Sequence, residues 1–200
     1  MSNSVLYMSM SLDGFIAGPN QGPGNGLGDG GHRLHEWLHP GGVDPRSHRP
    51  GDDGPNATVF DEVMSTGAVV AGKRTFEPAD GWGGDHHDGV PIFILSRHSA
   101  PSWAAEWPAV HYVSDLETAI REAKQAAGDR DVLVHGAGIA QRALTAGLLD
   151  ELQIHLIPVL LGQGRRLFEN LPADHIELDL LRASDGPGVQ HVRYRVRSRG

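Results

Sequence analysis

The chain has 200 residues, 39% of them apolar, enough to bury the core of one ordinary domain. Its 17 Lys and Arg against 25 Asp and Glu give a net charge of -8, which argues against a nucleic-acid partner. Cysteine is absent, so disulfides and thiolate metal sites are excluded, and no run approaches the roughly 18 apolar residues of a membrane span.

The N-terminus carries no basic, apolar leader and runs straight into a strand pattern, so a soluble, cytoplasmic protein is expected. Residues 5–12 form that strand, ending near Ser11 to Asp13, and Asp13-Gly14 supplies a bend before Phe15-Ile16-Ala17. Residues 18–56 are rich in Gly, Pro, Asp and His, and within them only 32–38 has helical spacing. A loop this long in a compact domain is expected to be functional or disordered, and with Trp37 it is the candidate lid. A helix is predicted over 57–66, with Asn56 as its N-cap and Gly67 as its stop. Buried-type strands follow at 68–72, 91–95 and 110–113. Ser114 and Glu117 then read as a capping box for a helix that Gly128 ends. Residues 132–134 form a strand leading through Gly136-Ala137-Gly138 into a helix near 139–146. Leu152, Ile154 and Leu156 alternate with Gln153 and His155, predicting a long strand that continues to Leu161. A strand near 176–183, a turn at 185–188 and a last strand close the chain. In that last strand Val192, Tyr194 and Val196 alternate with Arg193, Arg195 and Arg197. Helices alternating with strands and then a hairpin predict an α/β domain. Its sheet is mixed and mostly parallel, flanked by helices, with a C-terminal antiparallel hairpin.

Three predicted strand ends carry groups suited to a dinucleotide, which in such sheets binds beyond the carboxyl ends of the strands. Gly72-Lys73-Arg74-Thr75 offers charge, a hydroxyl and helix-start N–H groups to phosphate. Ser96-Arg97 offers the hydroxyl and guanidinium that a ribose 2′-phosphate needs. Gly136-Ala137-Gly138 lets a pyrophosphate approach the backbone. A conventional Rossmann fingerprint is disfavoured, because Gln141 stands where its third glycine would be.

The run Gly147-Leu148-Leu149-Asp150-Glu151-Leu152 through Ile157-Pro158-Val159-Leu160-Leu161-Gly162-Gln163-Gly164, with Leu167-Phe168, resembles the signature of the riboflavin-biosynthesis reductase domain of the dihydrofolate reductase superfamily. Ser11-Leu12-Asp13-Gly14-Phe15-Ile16-Ala17 and Val70-Ala71-Gly72-Lys73-Arg74-Thr75-Phe76 resemble its first-strand and phosphate-turn motifs. The resemblance implies a dihydrofolate-reductase-like fold. It implies a reductase that uses NADPH on a small pterin-like, aminouracil-like or related substrate, working as a homodimer. It places Ser9, Ile16 and Ala17 near the nicotinamide. Gly72, Lys73, Arg74 and Thr75 would sit at phosphates, Ser96 and Arg97 at the adenosine 2′-phosphate, and Gly136, Ala137, Gly138 and Ile139 at the pyrophosphate. It matches Asp13 to an acidic position at the mouth of the substrate pocket and offers Glu36 as a stand-in for the carboxylate that holds pteridines. Asp13 and Glu36 are thus the catalytic candidates, with Asp13 and Trp37 at substrate. Asp13 has a second reading as a local cap of its own bend.

Twelve histidines raise a metal reading, since His32, His35 and His39 fall at helical spacing and His86-His87 lie in another loop. No carboxylate sits at a recognised motif spacing, so solvated or substrate-facing histidines are expected and no metal. Trp82-Gly83-Gly84 beside His86-His87 reads equally as cleft lining or surface loop. The rival functions are a non-catalytic nucleotide sensor of the same fold and a His-liganded metal hydrolase.

Overall fold

The computed structural model describes residues 2–22, 24–38 and 53–197. An eight-stranded sheet runs in the order β5 (Val110–Val113), β4 (Ile92–Leu95), β3 (Ala68–Gly72), β6 (Val132–His135), β1 (Ser4–Ser11), β7 (Glu151–Ile157), β10 (Val189–Val196) and β9 (Leu178–Gly186). The first six are parallel; β10 runs antiparallel to β7, and β9 antiparallel to β10, so β10 alone is reversed. β1 sits at the middle, and its Val5, Leu6, Tyr7 and Met8 are buried on both faces, as expected for a strand covered from both sides.

One face of the sheet packs Leu6, Val70, Val132 and Val134 against α3 (Leu116–Ala127) and α4 (Ala137–Ala146). The contact is made by Ala119, Ala123, Ala140 and Ala143, whose small side chains let the helices lie close. The other face gathers Val5, Val69, Ile92, Ile94 and Leu133 around Phe76. A third cluster, of Leu34, Trp37, Val59, Ile157 and Val189, joins the 3-10 helix Gly31–Leu38 to α1 (Pro55–Met64).

Several boundaries differ from the sequence reading. α3 is capped by Asp115, whose carboxylate accepts from Thr118 N at 2.8 Å; Ser114 instead lines a groove at the ends of β3 and β4. α1 begins one residue earlier than Asn56, at Pro55. Asn56 is buried in the first turn and spends its amide on tertiary partners, so it is no cap. Gly67 is not the stop of α1, which is capped at Ser65. A Cβ at Gly67 would lie 2.8 Å from Ala127 Cα, so its smallness serves helix–strand packing. β7 ends at Ile157 and not at Leu161, because the Pro158 that follows has no N–H to continue the ladder. The strand predicted near 176–183 is β9, shifted to 178–186.

β2 (Phe15–Ala17) and β8 (Arg165–Arg166) form a separate ribbon beside the end of β1. Gly164 has φ 133°, and a Cβ there would overlap the Ala17 carbonyl oxygen, so the Gly162-Gln163-Gly164 run lets β8 press against β2. Arg166 lies 4.4 Å above the Phe15 ring, which leaves Arg165 facing the cleft.

Candidate active site

Two connected spaces open along the carboxyl ends of β1, β3 and β6. The larger is a cleft of about 1320 Å³ bounded by β1, β2, the Gly31–Leu38 helix, α1 and the segment Ala79–His86. The smaller is a groove of about 510 Å³ between the ends of β3 and β4 and the start of α4. Thr75 and Arg165 line both, so the groove continues into the cleft at those two residues.

The groove brings together the three strand ends singled out in the sequence. Gly72, Lys73, Arg74 and Thr75 meet Ser96 and Arg97 on one side and Gly138 and Ile139 on the other. Arg142 and Arg165 add two cations that local reading did not assign, giving five basic side chains and no carboxylate among the described lining residues. Burial and the nearby Arg74 guanidinium lower the pKa of Arg165, the signature of a cation held where an anion would relieve it. Lys73 is partly engaged by Glu77 at 3.5 Å. The Lys73–Phe76 turn is a four-residue helix, α2, too short to hold itself. It is pinned by the fully buried Phe76, which meets Trp82 at 5.4 Å and Trp103 at 5.9 Å. At the neighbouring turn Gly136 has φ 96°, and a Cβ there would overlap Thr75 Oγ1. Ala137 is buried in the first turn of α4 and lines neither space.

Ser9, Ile16 and Ala17 line the cleft next to this junction, with Gly136. Ser9 Oγ accepts from the Trp37 indole N–H at 2.9 Å, and Trp37 is buried. Trp37 is therefore a buried part of the cleft wall, held to β1 by that bond. Residues 39–52 of that candidate lid, among them His39, lie outside the described residues. Glu36 lines the cleft as an exposed side chain paired with Arg33 at 3.3 Å. Asp13 lines neither space. Its carboxylate accepts from Ser11 Oγ at 2.6 Å, Leu161 N at 3.1 Å and Gly162 N at 2.7 Å. The Ser11 hydroxyl, with those two N–H groups, holds its pKa below the ordinary value. Asp13 thus ties the 161–162 loop to β1, closer to the cap reading than to a substrate contact.

The histidines are more central than their loops and strands suggested. His86, His135 and His155 all line the cleft beside Tyr7, Trp37 and Trp82, so the 82–86 segment is cleft wall. Burial pushes the pKa of His86 and His155 well below 6.5 and that of His135 and His191 to about 4. Among the described residues no group of three or more His, Asp or Glu is arranged to hold a metal. These rings fold neutral and take up protons when the chain unfolds. Their stabilising contribution is therefore complete above about pH 6.5 and falls as pH drops, for His135 and His191 down to about pH 4. Chemical denaturation between pH 7 and 4.5 is expected to show stability falling by roughly 1 kcal/mol per pH unit for each such histidine; a flat profile would mean the rings are hydrated.

The chain matches the family model described as RibD C-terminal domain over residues 4–190. No curated protein sequence matches it. Among solved structures, a riboflavin-biosynthesis-related protein from Shewanella sp. PV-4 aligns with TM-score 0.72 and 22% identity over 99% of this chain and all of its own. RibD from Acinetobacter baumannii aligns with TM-score 0.63 and 17% identity over 99% of this chain, which spans 59% of that protein. A pyrimidine reductase-like protein from Corynebacterium diphtheriae aligns with TM-score 0.61 and 14% identity over 99% and 93% of the two chains. At these identities the structures establish a shared fold, and with the family match across nearly the whole length they place the chain: it belongs to the RibD C-terminal domain family.

Proposed function

We propose that this protein is an NADPH-dependent reductase acting on the carbonyl or imine carbon of a small flat heterocycle of the pterin or aminouracil kind. The observation that carries the reading is the five-cation groove running into an apolar, aromatic-walled cleft at Thr75 and Arg165. A phosphorylated dinucleotide has that polarity: an anionic half and a flat, weakly polar half. Bound there, the nicotinamide would supply hydride to a polarised C=O or C=N group.

The chain's own residues bind, orient and exclude water. Lys73, Arg74, Arg142 and Arg165 neutralise phosphate charge, and the backbone at Gly136, Gly138 and Ile139 gives close approach at the start of α4. Arg97 is exposed at the end of β4, placed for a terminal 2′-phosphate, while Ser96 Oγ already holds the turn by accepting from His98 N at 3.0 Å. Ser9, Ile16 and Ala17 form the floor where reacting atoms would be aligned and kept from solvent.

Titration with NADPH and NADH tests this. Wild type is expected to prefer NADPH, and Arg97→Ala to weaken NADPH by about 10- to 100-fold with NADH unchanged, the loss of charge-assisted hydrogen bonds of about 1.5–3 kcal/mol. Turnover is read as loss of nicotinamide absorbance with a panel of pterins, aminouracils and lactones. If neither nucleotide binds, the reductase reading falls.

A further inference from the structure

The buried chain Asn56–His191–His155 fixes a hydrogen-bond acceptor in the cleft. Asn56 Nδ2 faces two carbonyl oxygens, of Trp37 at 3.5 Å and Pro187 at 3.4 Å, so its Oδ1 faces the other way. That oxygen lies 3.0 Å from His191 Nε2, which must therefore carry a hydrogen to donate. His191 Nδ1 is then a lone pair. It sits 2.9 Å from His155 Nδ1, which must be the donor of that contact. A neutral imidazole has one hydrogen, so His155 Nε2, on the opposite edge of the ring, is left bare. Both rings are kept neutral by burial. His155 lines the cleft, and among the described residues no other side-chain hydrogen bond is made by its ring.

The surroundings restrict what can meet that lone pair. Trp37 packs on the His155 ring at 4.7 Å between centroids, with the two rings tilted by 51°. His86 and His135 line the same space, and Arg165, at the junction with the groove, is the only Lys or Arg among the described lining residues. A phosphate or carboxylate placed among these neutral rings would be desolvated without a counter-charge.

We propose that His155, its tautomer set by His191 and Asn56, accepts a ring N–H or amino hydrogen from an uncharged flat heterocycle and so selects the substrate. His155 is then a substrate-binding residue, and His191 and Asn56 are positioning residues acting through it. The inference rests on the reductase reading for which half of the site takes substrate.

Long-range ¹H–¹⁵N spectra of the imidazoles in the wild-type protein at pH 7 test the tautomers directly. His155 is expected to be protonated on Nδ1 alone and His191 on Nε2 alone; a hydrogen on His155 Nε2 overturns the proposal. Pterin, uncharged and bearing both donor types, is the binding probe. His155→Phe is expected to weaken pterin by at least about tenfold while NADPH affinity stays within about twofold. Equal affinity for wild type and variant, or no pterin binding by wild type, also overturns it. Failure of NADPH to bind would instead strike the reductase reading, and the tautomers would still be measured.

Discussion

Gly136→Ala is expected to weaken NADPH binding by at least about tenfold and to lower stability by about 1–3 kcal/mol. Gly136 has φ 96° and ψ 146°, backbone that is close to glycine-only, and the added Cβ would overlap Thr75 Oγ1. The chain can relieve this only by moving the start of α4 or the Lys73–Thr75 turn, and those are the two sides of the basic groove. Stability and binding should therefore fall together. Adding Thr75→Ala removes the overlapped hydroxyl but leaves the strained backbone, so the double variant should recover part of the stability. Its nucleotide affinity should stay low, because Thr75 itself lines both spaces. Nucleotide titration and thermal unfolding separate these effects, with about 1 kcal/mol appearing as a Tm change of roughly 2–4 °C in a chain this size. Wild-type affinity in Gly136→Ala would remove this turn from the proposed cofactor site.

The strand-end groups were legible in the sequence because each is local. Gly72-Lys73-Arg74-Thr75, Ser96-Arg97 and Gly136 to Ile139 each follow an apolar run at once, and a parallel sheet with β6 inserted between β3 and β1 carries all three to one edge. Arg142 and Arg165 were not legible. Arg142 looks like any surface position of α4, and Arg165 reaches the groove only because β8 pairs with β2 across almost 150 residues. Histidine was underestimated for a related reason. The alternation of Gln153 and His155 with apolar residues reads as a half-exposed strand, yet β7 is covered on both faces, with Trp37 packed on His155. That cover comes from segments far away in sequence, so periodicity within the strand carries no sign of it. The same holds for Asp13. A short Asp-Gly bend does not reveal that the Leu161 and Gly162 N–H groups fold back to saturate its carboxylate.

Arg193 is the sharpest case, since its alternation in the last strand points to a solvated face, and it supports the second large effect. Its side chain is only 16% exposed, with Nε 2.6 Å from Glu151 Oε2 and its terminal nitrogens 3.5 Å from Glu62 and Asp131. Arg182 shares Glu62 through contacts of 2.5 and 2.7 Å. Tyr7 lies against Arg193 on the floor of the cleft, and its pKa is pushed up to about 12, mainly by burial. Arg193→Met is expected to cost about 3–5 kcal/mol, because Glu151, itself nearly buried, keeps its charge and loses its partner. The exposed pair of Arg197 with Asp179 provides the contrast, and Arg197→Ala should leave the urea midpoint almost unchanged. Arg193→Met combined with Glu151→Leu should recover much of the loss, since an apolar pair of similar size avoids both desolvation costs. Urea unfolding of the three variants measures this directly. If Arg193→Met and Arg197→Ala cost the same, the network under β1 contributes no more than a surface ion pair, and Tyr7 is held by packing alone.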